Sequence, residues 1–237
     1  MRFVKQAGRG INRFSMIGDG DRILLGISGG KDSLALALAL RLRLKWIPIN
    51  YGLEAVLIDW KEYSLSDGQK QGIIDFFSAL EIPLDVISVS MFPSSFQGRF
   101  DCYLCSRNRK RILFEEARRR SISKIALGHH MDDIIETTLM NICLHGNIST
   151  MVPYQEFFRG ELAIVRPLCE VKERMIDNIS GFLEFPVCKV DCPFDKSNVR
   201  VHFKPFIRQL SRVNKRVREN IYAAPFHIDY DYLPSEK

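Results

Sequence analysis

One six-residue segment constrains the fold of this chain more than any other, and its sequence is S-G-G-K-D-S at positions 28–33. The apolar run at 23–27 predicts a buried strand, and the leucine- and alanine-rich run at 34–40 predicts a helix. The segment should therefore turn the chain from strand to helix. Glycines let a backbone approach a ligand closely, and a helix start attracts a phosphate. We expect a phosphate site formed by Ser28, Gly29, Gly30, Lys31, Asp32 and Ser33.

The segment is not a Walker P-loop, whose pattern is G-x-x-x-x-G-K-[ST]. The alternative is an ordinary glycine turn in an α/β domain, and a lone Gly-Gly pair would favour that alternative. The strand before the segment and the helix after it favour the phosphate site, because a matching structural context supports a motif.

The length indicates one domain, or one domain with appendages. The 237 residues are 46% hydrophobic, which is enough for a sizeable core. No apolar run reaches the ~18 residues of a membrane span, and the N-terminus lacks a secretory apolar region, so we expect a cytoplasmic protein without membrane contact. Six cysteines in such a chain indicate metal or thiol chemistry rather than a disulfide framework.

The net charge of +6 is concentrated in particular segments. Residues 199–220 carry seven Lys/Arg and one Glu, and residues 106–120 carry seven Lys/Arg and two Glu. A predicted helix at 3–16 adds a basic stripe made of Arg2, Lys5, Arg9 and Arg13. A solvated helix face explains any one of these segments, but together they favour a nucleic acid as partner.

Predicted strands and helices alternate along the chain. Strands are predicted at 23–27, 55–58, 84–90, 125–127 and 162–165, and helices at 66–80, 106–120, 132–144, 171–184 and 204–222. This alternation predicts an α/β fold, a parallel sheet with helices on both faces. Ligands bind such sheets beyond the carboxyl ends of the strands. The segment at 28–33, Asp59 and Gly128 all follow strands, so we expect them to converge.

Four cysteines are candidates for chemistry. Cys102 and Cys105 form a C-x-x-C, which suits a zinc half-site, a redox dithiol or an iron–sulfur half-site. Cys188 and Cys192 could complete a zinc site. Cys143 and Cys169 lie in apolar surroundings and are predicted to be core thiols.

The segment G-H-H-M-D-D at 128–133 also joins a predicted strand to a predicted helix. The adjacent carboxylates of Asp132 and Asp133 could hold Mg²⁺ on nucleotide phosphates. The alternative is that one of them caps the helix. Their place at the expected ligand edge favours the first interpretation.

These motifs, in this order, resemble the TtcA-like tRNA 2-thiocytidine synthetases of the PP-loop superfamily. The resemblance rests on S-G-G-K-D-S at 28–33, C-Y-L-C-S-R at 102–107, A-L-G-H-H-M-D-D-I at 126–134, V-R-P-L at 165–168 and E-F-P at 184–186. It implies a Rossmann-like PP-loop fold, an adenine nucleotide α-hydrolase-like fold. It divides the chain into a basic helix (1–20), an ATP-binding domain (21–185) and a basic C-terminal segment (186–237).

The resemblance also implies a [4Fe–4S] cluster held by three cysteines, with one iron open to carry sulfide. The cluster ligands would be Cys102, Cys105 and Cys192, with Cys188 as the alternative to Cys192. The family has a second C-x-x-C after the F-P segment, whereas Asp195 stands here in place of its second cysteine.

By the same resemblance, ATP lies on the 28–33 segment near Asp59, Gly128 and His129. Mg²⁺ lies near Asp32 or the Asp132–Asp133 pair, and Lys31, Lys110 and Arg111 stabilise developing charge. A tRNA base carbonyl attacks the α-phosphorus, pyrophosphate leaves, and sulfide then displaces AMP. Partners would be tRNA and a sulfur donor system such as a cysteine desulfurase, and a homodimer is left open.

Two other classes stay open at this point. One is a PP-loop enzyme that acts on a different base or on a small substrate. The other is a nucleotide-binding protein whose cysteines hold structural zinc. Metal content separates them, because an iron–sulfur cluster absorbs visible light and zinc does not.

Overall fold

The computed structural model describes residues 2–92, 102–188 and 199–234. Its strands are β1 (Arg22–Ile27), β2 (Gly52–Trp60), β3 (Leu84–Val89), β4 (Lys124–Leu127), β5 (Tyr154–Phe157) and β6 (Leu162–Val165). Its α-helices are α1 (Arg2–Arg13), α2 (Lys31–Arg43), α3 (Asp67–Ala79), α4 (Cys102–Arg119), α5 (Met131–His145), α6 (Glu173–Phe182), α7 (Arg200–Val213) and α8 (Val217–Ala223). Every strand predicted from the sequence is present.

In the described ranges the strands form one sheet in the order β3-β2-β1-β4-β6-β5. β1 pairs in parallel with both β2 and β4, and β4 pairs in parallel with β6. β5 was not predicted, and it pairs with β6 in the antiparallel sense. The expectation of a wholly parallel sheet is therefore wrong at this edge, where the chain turns back after β5 and forms β6 beside it.

Apolar side chains cover both faces of the sheet. On one face Leu24 and Val56 belong to a buried cluster that includes Ile112 and Leu113 of α4. Successive residues of a strand point to opposite faces, so Ile23 and Leu25 lie on the other face, where they are also fully buried. The helix α2 packs against β1 and is itself buried along 33–40. The predicted α/β fold with a sheet covered on both faces is confirmed.

The strand order creates a reversal point between β1 and β4. The chain steps outward from β1 to β2 and β3, then returns to place β4 on the other side of β1. Crossover connections between parallel strands are right-handed, so the outward and returning connections lie on opposite faces. The loops that leave β1 and β4 start side by side at the carboxyl ends of these two strands, which is where sheets of this type bind ligands.

The chain divides into two compact units. One comprises Met1–His130 and Pro153–Ser197 and contains the sheet; the other comprises Met131–Val152 and Asn198–Lys237. In the second unit α5, α7 and α8 pack on one another. The division into 1–20, 21–185 and 186–237 stays a prediction.

The helix predicted at 204–222 is interrupted. α7 ends at Val213, its C-cap Asn214 has an extended backbone (φ −138°, ψ 119°), and α8 begins at Val217. The Oδ1 atom of Asn214 accepts a hydrogen bond from the N–H of Arg216 at 2.8 Å. Asparagine side chains compete in this way with the helical backbone, which explains the break.

The two predicted core thiols differ. Cys169 is fully buried, as predicted, whereas Cys143 is exposed near the end of α5 and its prediction was wrong. Within the described ranges, no helix combines the length and the apolar composition that crossing a membrane requires.

We predict that Phe77→Ala lowers the free energy of unfolding by about 3–5 kcal/mol, because it removes a fully buried ring from the packing of α3. Urea denaturation followed by circular dichroism measures this change. Phe182→Ala is the matched control, since that helical phenylalanine is 85% exposed and should shift stability by less than about 0.5 kcal/mol. Equal losses in both variants would contradict the assignment of Phe77 to the core.

Candidate functional site

The segment 28–33 forms the turn between β1 and α2, as predicted. Gly29 has a φ of +79°, a conformation that favours glycine, and Gly30 is the N-cap of α2 without a capping side chain. The Ser33 hydroxyl donates to the Gly30 carbonyl at 2.8 Å, and the Ser28 N–H donates to the Ser33 hydroxyl at 3.3 Å. The turn is thus braced by its own serines.

This geometry suits an anion. The first N–H groups of an α-helix have no partner within the helix, and the helix dipole adds positive potential there. Because no side chain caps α2, its N-terminal end can accept a phosphate. The hydroxyls of Ser28 and Ser33 lie 3.3 Å apart in the same turn and add hydrogen-bonding groups.

Gly128, at the end of β4, packs directly against the first turn of α2. A Cβ atom at this position would lie 2.7 Å from the Asp32 carbonyl oxygen and 2.9 Å from the Ser33 nitrogen. Both atoms belong to the backbone and cannot move aside cheaply. The reversal point of the sheet therefore brings Gly128 and the turn together, as the sequence predicted.

Two histidines follow Gly128. His130 is buried, and its Nε2 atom lies 3.8 Å from Oδ1 of Asp32, an ion pair when the imidazole is protonated. His129, a predicted nucleotide contact, is half-buried in the same loop. Sequence reasoning did not assign His130 a role, although it lies in the G-H-H-M-D-D motif.

Lys31 points to α6. Its Nζ atom lies 3.1 Å from Oε1 of Glu173 and also contacts the carboxylate of Asp177. Burial works to lower the Lys31 pKa, but the hydrogen bonds to Asp177 and Glu173 outweigh it and raise the pKa above its usual value. Lys31 is therefore a fixed positive charge held by two carboxylates at the start of α2.

Asp59 is buried at the carboxyl end of β2 and holds the loop that follows it. It accepts hydrogen bonds from the Leu65 N–H at 2.9 Å and from the Ser64 hydroxyl at 3.2 Å, and it pairs with Lys70 at 2.7 Å. These contacts give Asp59 a structural role at the carboxyl edge of the sheet, where the ligand is expected. Its predicted contact with adenosine stays a prediction.

The chain at 185–188 contacts both the turn at 28–33 and the helix α3. The Cys188 N–H donates to the Gly29 carbonyl at 2.9 Å, and the ring of Phe185 meets that of Phe76 edge-on at 5.2 Å. The Cys188 thiol is buried and lies 3.6 Å from the Gln69 carbonyl, and burial raises its pKa. Cys188 thus contacts the turn through its backbone and α3 through its thiol.

The C-x-x-C motif stands at the start of α4, which begins at Cys102. Cys105 is partly buried and packs against the core cluster on the α4 face of the sheet. Cys192, the predicted third ligand, lies outside the described residues. Among the described residues, no group of three or more histidine, cysteine or carboxylate side chains is arranged to hold a metal ion.

Further along α4, Lys110 and Arg111 have different environments. The Lys110 ammonium lies 5.6 Å from the centre of the Phe157 ring, and burial followed by the charge of Arg166 lowers its pKa. Arg111 is exposed and pairs with Glu115 at 2.6 Å. The buried Arg166 follows β6 at its carboxyl end, and sequence reasoning assigned it no role although it stands in the V-R-P-L motif.

In the second unit, the predicted magnesium carboxylates are paired with cations. Asp133 lies 3.2 Å from Arg200, and the buried Asp132 pairs with Arg218. One turn further along α5, Glu136 lies 4.0 Å from Lys204. The predicted role of Asp132 and Asp133 in binding Mg²⁺ stays a prediction.

Comparison with known proteins adds a family and a set of relatives. The family model of the PP-loop domain matches residues 4–213. The tRNA-cytidine(32) 2-sulfurtransferase of Paraburkholderia phymatum is 31% identical over 100% of this chain and 71% of that protein. The protein of the same name from Anaeromyxobacter sp. is 32% identical over 98% of this chain and 77% of that protein.

Solved structures share the fold. The U34-tRNA thiolase NcsA from Methanococcus maripaludis, solved with its [4Fe-4S] cluster, superposes with a TM-score of 0.76 at 21% identity. That match covers 96% of this chain and 80% of NcsA. NMN synthetase from Francisella tularensis superposes with a TM-score of 0.51 at 14% identity, over 92% of this chain and 91% of that chain.

We predict that Gly128→Ala lowers the free energy of unfolding by about 1–3 kcal/mol, because the added methyl group overlaps the backbone of α2. Urea denaturation measures the change. Gly181→Ala is the matched control: this exposed helical glycine has no heavy atom within 4 Å of the added Cβ, so alanine should stabilise α6 by up to about 1 kcal/mol. Stabilisation by both substitutions would refute the close contact at Gly128.

We predict that Lys31→Met lowers stability by about 0.5 kcal/mol at neutral pH, since a half-exposed ion pair contributes little. The folded-state pKa of Lys31 is raised, so its contribution is complete below the unfolded pKa and disappears as pH rises through the folded pKa. The difference between wild type and variant should therefore be largest at neutral pH and vanish only in strongly alkaline solution, above the usual pKa range of a lysine. The exposed Lys45→Met is the control, and a difference that grew with pH would contradict the pairing.

Proposed function

Because this chain belongs to the PP-loop family of ATP-binding domains, we propose that it is an ATP-dependent tRNA thiolase that replaces the 2-oxygen of a cytidine with sulfur. One observation carries the proposal: the sheet-bearing unit contains both an uncapped phosphate turn at 28–33 and a C-x-x-C at the start of α4. The first suits ATP, and the second supplies the thiolates that sulfur chemistry needs. The names of the relatives support cytidine in tRNA as the substrate.

The turn at 28–33 would bind the phosphates of ATP. The N–H groups at the start of α2 and the hydroxyls of Ser28 and Ser33 face one small region, and Gly128 keeps the backbone of β4 close to it. Asp32 lies beside this turn and is a candidate ligand for Mg²⁺ bound to the phosphates. Lys31 is already held by two carboxylates, so its electrostatic role at the phosphates is weaker than the motif alone predicts.

The proposed reaction has two group transfers. The carbonyl oxygen of the base attacks the α-phosphorus of ATP, an O–P bond forms, and the bond to the β-phosphate breaks to release pyrophosphate. A sulfide equivalent then attacks the base carbon that carries this oxygen. A C–S bond forms, and the C–O bond breaks. AMP leaves with the former base oxygen, so ATP, the base and one sulfide give AMP, pyrophosphate and the thiolated base.

Arg166, which follows β6, and Lys110 of α4 would assist these transfers. Arg166 is buried at the end of β6, and Lys110 lies close enough that the charge of Arg166 lowers its pKa. Two adjacent cations stabilise negative charge that develops on a phosphoryl group. Arg111 pairs with Glu115 on the exposed face of α4, and its catalytic role is the less supported of the two predicted on this helix.

Cys102, Cys105 and Cys192 would hold a [4Fe–4S] cluster. The donor set fits, because iron–sulfur clusters are bound by cysteine thiolates and a C-x-x-C supplies two of them. A cluster with three protein ligands would supply an iron at which sulfide binds. Cys188 fits less well, since its thiol is buried beside the Gln69 carbonyl of α3. A cysteine desulfurase system is the proposed sulfur source, and a homodimer stays a prediction.

We predict that the protein purified without oxygen absorbs broadly in the visible range and contains about four irons per chain. Cys105→Ala and Cys192→Ala should each lose most of the iron and the ATP-dependent transfer of labelled sulfide to tRNA. Cys143→Ala is the matched control, because this exposed cysteine lies in the other unit and should leave iron content unchanged.

Other outcomes would change the third ligand, the metal or the substrate. Loss of iron in Cys188→Ala but not in Cys192→Ala would move the third ligand to Cys188. Zinc in place of iron would refute the proposed mechanism and favour a zinc-stapled nucleotide-binding protein. A full cluster without sulfur transfer to tRNA, but with AMP formation on another substrate, would keep the chemistry and change the substrate.

A further inference from the structure

A cationic groove lies between α1 and the C-terminal end of α2, and no step of the proposed reaction uses it. It has a volume of about 530 Å³. Four cationic side chains line it, together with Gln6, Gly8 and Asn12: Arg2, Lys5 and Arg9 from α1, and Arg43 from α2. No carboxylate is among its described lining residues, and α1 contains no Asp or Glu.

The guanidinium of Arg43 is held in place. Its Nη2 atom donates to Oδ1 of Asn12 at 2.7 Å, and its Nη1 atom packs so close to Gly8 that a Cβ there would collide with it. The Nε atom of Arg43 is buried and has no hydrogen-bond partner among the described residues. On the same side Arg9 donates to Oε1 of Gln6 at 2.6 Å. Neutral amides therefore orient these cations without cancelling their charge.

The other basic segments differ from this groove, because carboxylates occupy many of their cations. On α4, Arg111 pairs with Glu115 and Arg119 pairs with Glu116. In the second unit, carboxylates of α5 pair with three cations of the 199–220 segment, Arg200, Lys204 and Arg218. Outside the groove, at the far end of α1, Arg13 pairs with Glu170 at 3.1 Å.

The spacing of the cations indicates an extended ligand. Arg2, Lys5 and Arg9 lie at i, i+3 and i+7 on one face of α1, which spans about 10 Å along the helix axis. A row of cations of this length matches successive phosphates of a nucleic-acid strand better than one small anion. Arginine adds a planar fork of donors that suits phosphate oxygens.

The groove is separate from the phosphate turn. The turn precedes Lys31 and the groove contains Arg43, so the two lie at opposite ends of α2, about 18 Å apart. This separation exceeds the screening length of about 8 Å at physiological salt. Charge changes in the groove should therefore leave the affinity for ATP unaltered.

We propose that the α1–α2 groove binds the phosphodiester backbone of the tRNA substrate, at a point remote from the reacting base. This inference rests on the proposed function, which supplies the tRNA. Lys5 and Arg9 are exposed and give the polyanion its first contacts, while Arg43 forms the floor. The groove contributes affinity and orientation but takes no part in the chemistry.

The test measures binding of fluorescently labelled, unfractionated tRNA to wild type and to Lys5→Glu and Arg9→Glu, over a range of salt concentrations. Each reversal should weaken binding about tenfold and reduce the slope of log affinity against log salt by about 1. Arg9→Lys should retain most of the affinity. Arg159→Glu is the control for charge, because Arg159 is exposed and lies outside the groove.

ATP affinity and melting temperature are measured on the same variants and should equal those of wild type. If Lys5→Glu and Arg9→Glu bound tRNA with the affinity and salt slope of wild type, the proposed binding role of the groove would be overturned. The proposed function would stand. An equal loss of tRNA affinity in Arg159→Glu would show that binding depends only on net charge. That result would also overturn the proposed binding role of the groove. A wild-type protein that binds no tRNA would refute the proposed function and the groove together.

Discussion

The contact between Gly128 and the first turn of α2 is the constraint on which the candidate site depends. It exists because the strand order reverses between β1 and β4, so two loops that are a hundred residues apart leave neighbouring parallel strands. Backbone meets backbone there, and a side chain at position 128 would separate them. The serines of the turn, the Asp32–His130 pair and the uncapped start of α2 all lie beside this contact.

Charge pairing gives this chain a different electrostatic surface from the one that residue counts indicate. The segment 199–220 has the largest excess of positive charge, but several of its cations pair with carboxylates of α5. On α4, arginines pair with glutamates of the same helix. The attraction for a polyanion depends on cations that are not neutralised nearby. A helix of modest charge without a single carboxylate can therefore contribute more than a longer basic segment.

Local patterns predicted most of the fold, and tertiary contacts decided the rest. The strands next to S-G-G-K-D-S and the place of Gly128 followed from apolar runs and strand ends. β5 was missed because its residues, Tyr-Gln-Glu-Phe, have weak hydrophobic character and are held by pairing with β6. Arg166 and His130 were missed because their partners come from distant elements. Lys31 and Asp59 stand where the sequence placed them, but their partners, which no local pattern shows, change what they can do.

Because Cys188 is buried and its backbone contacts the turn at 28–33, the reactivity of its thiol reports on local opening of that turn. A protonated, enclosed thiol reacts slowly with a maleimide, and it becomes reactive when the surrounding segment opens. Because the Cys188 N–H is bonded to the Gly29 carbonyl, such opening breaks a contact of the turn itself. The alkylation rate of Cys188, read beside that of the exposed Cys143, therefore reports how often the turn loosens, and a nucleotide that tightens the turn would slow the reaction.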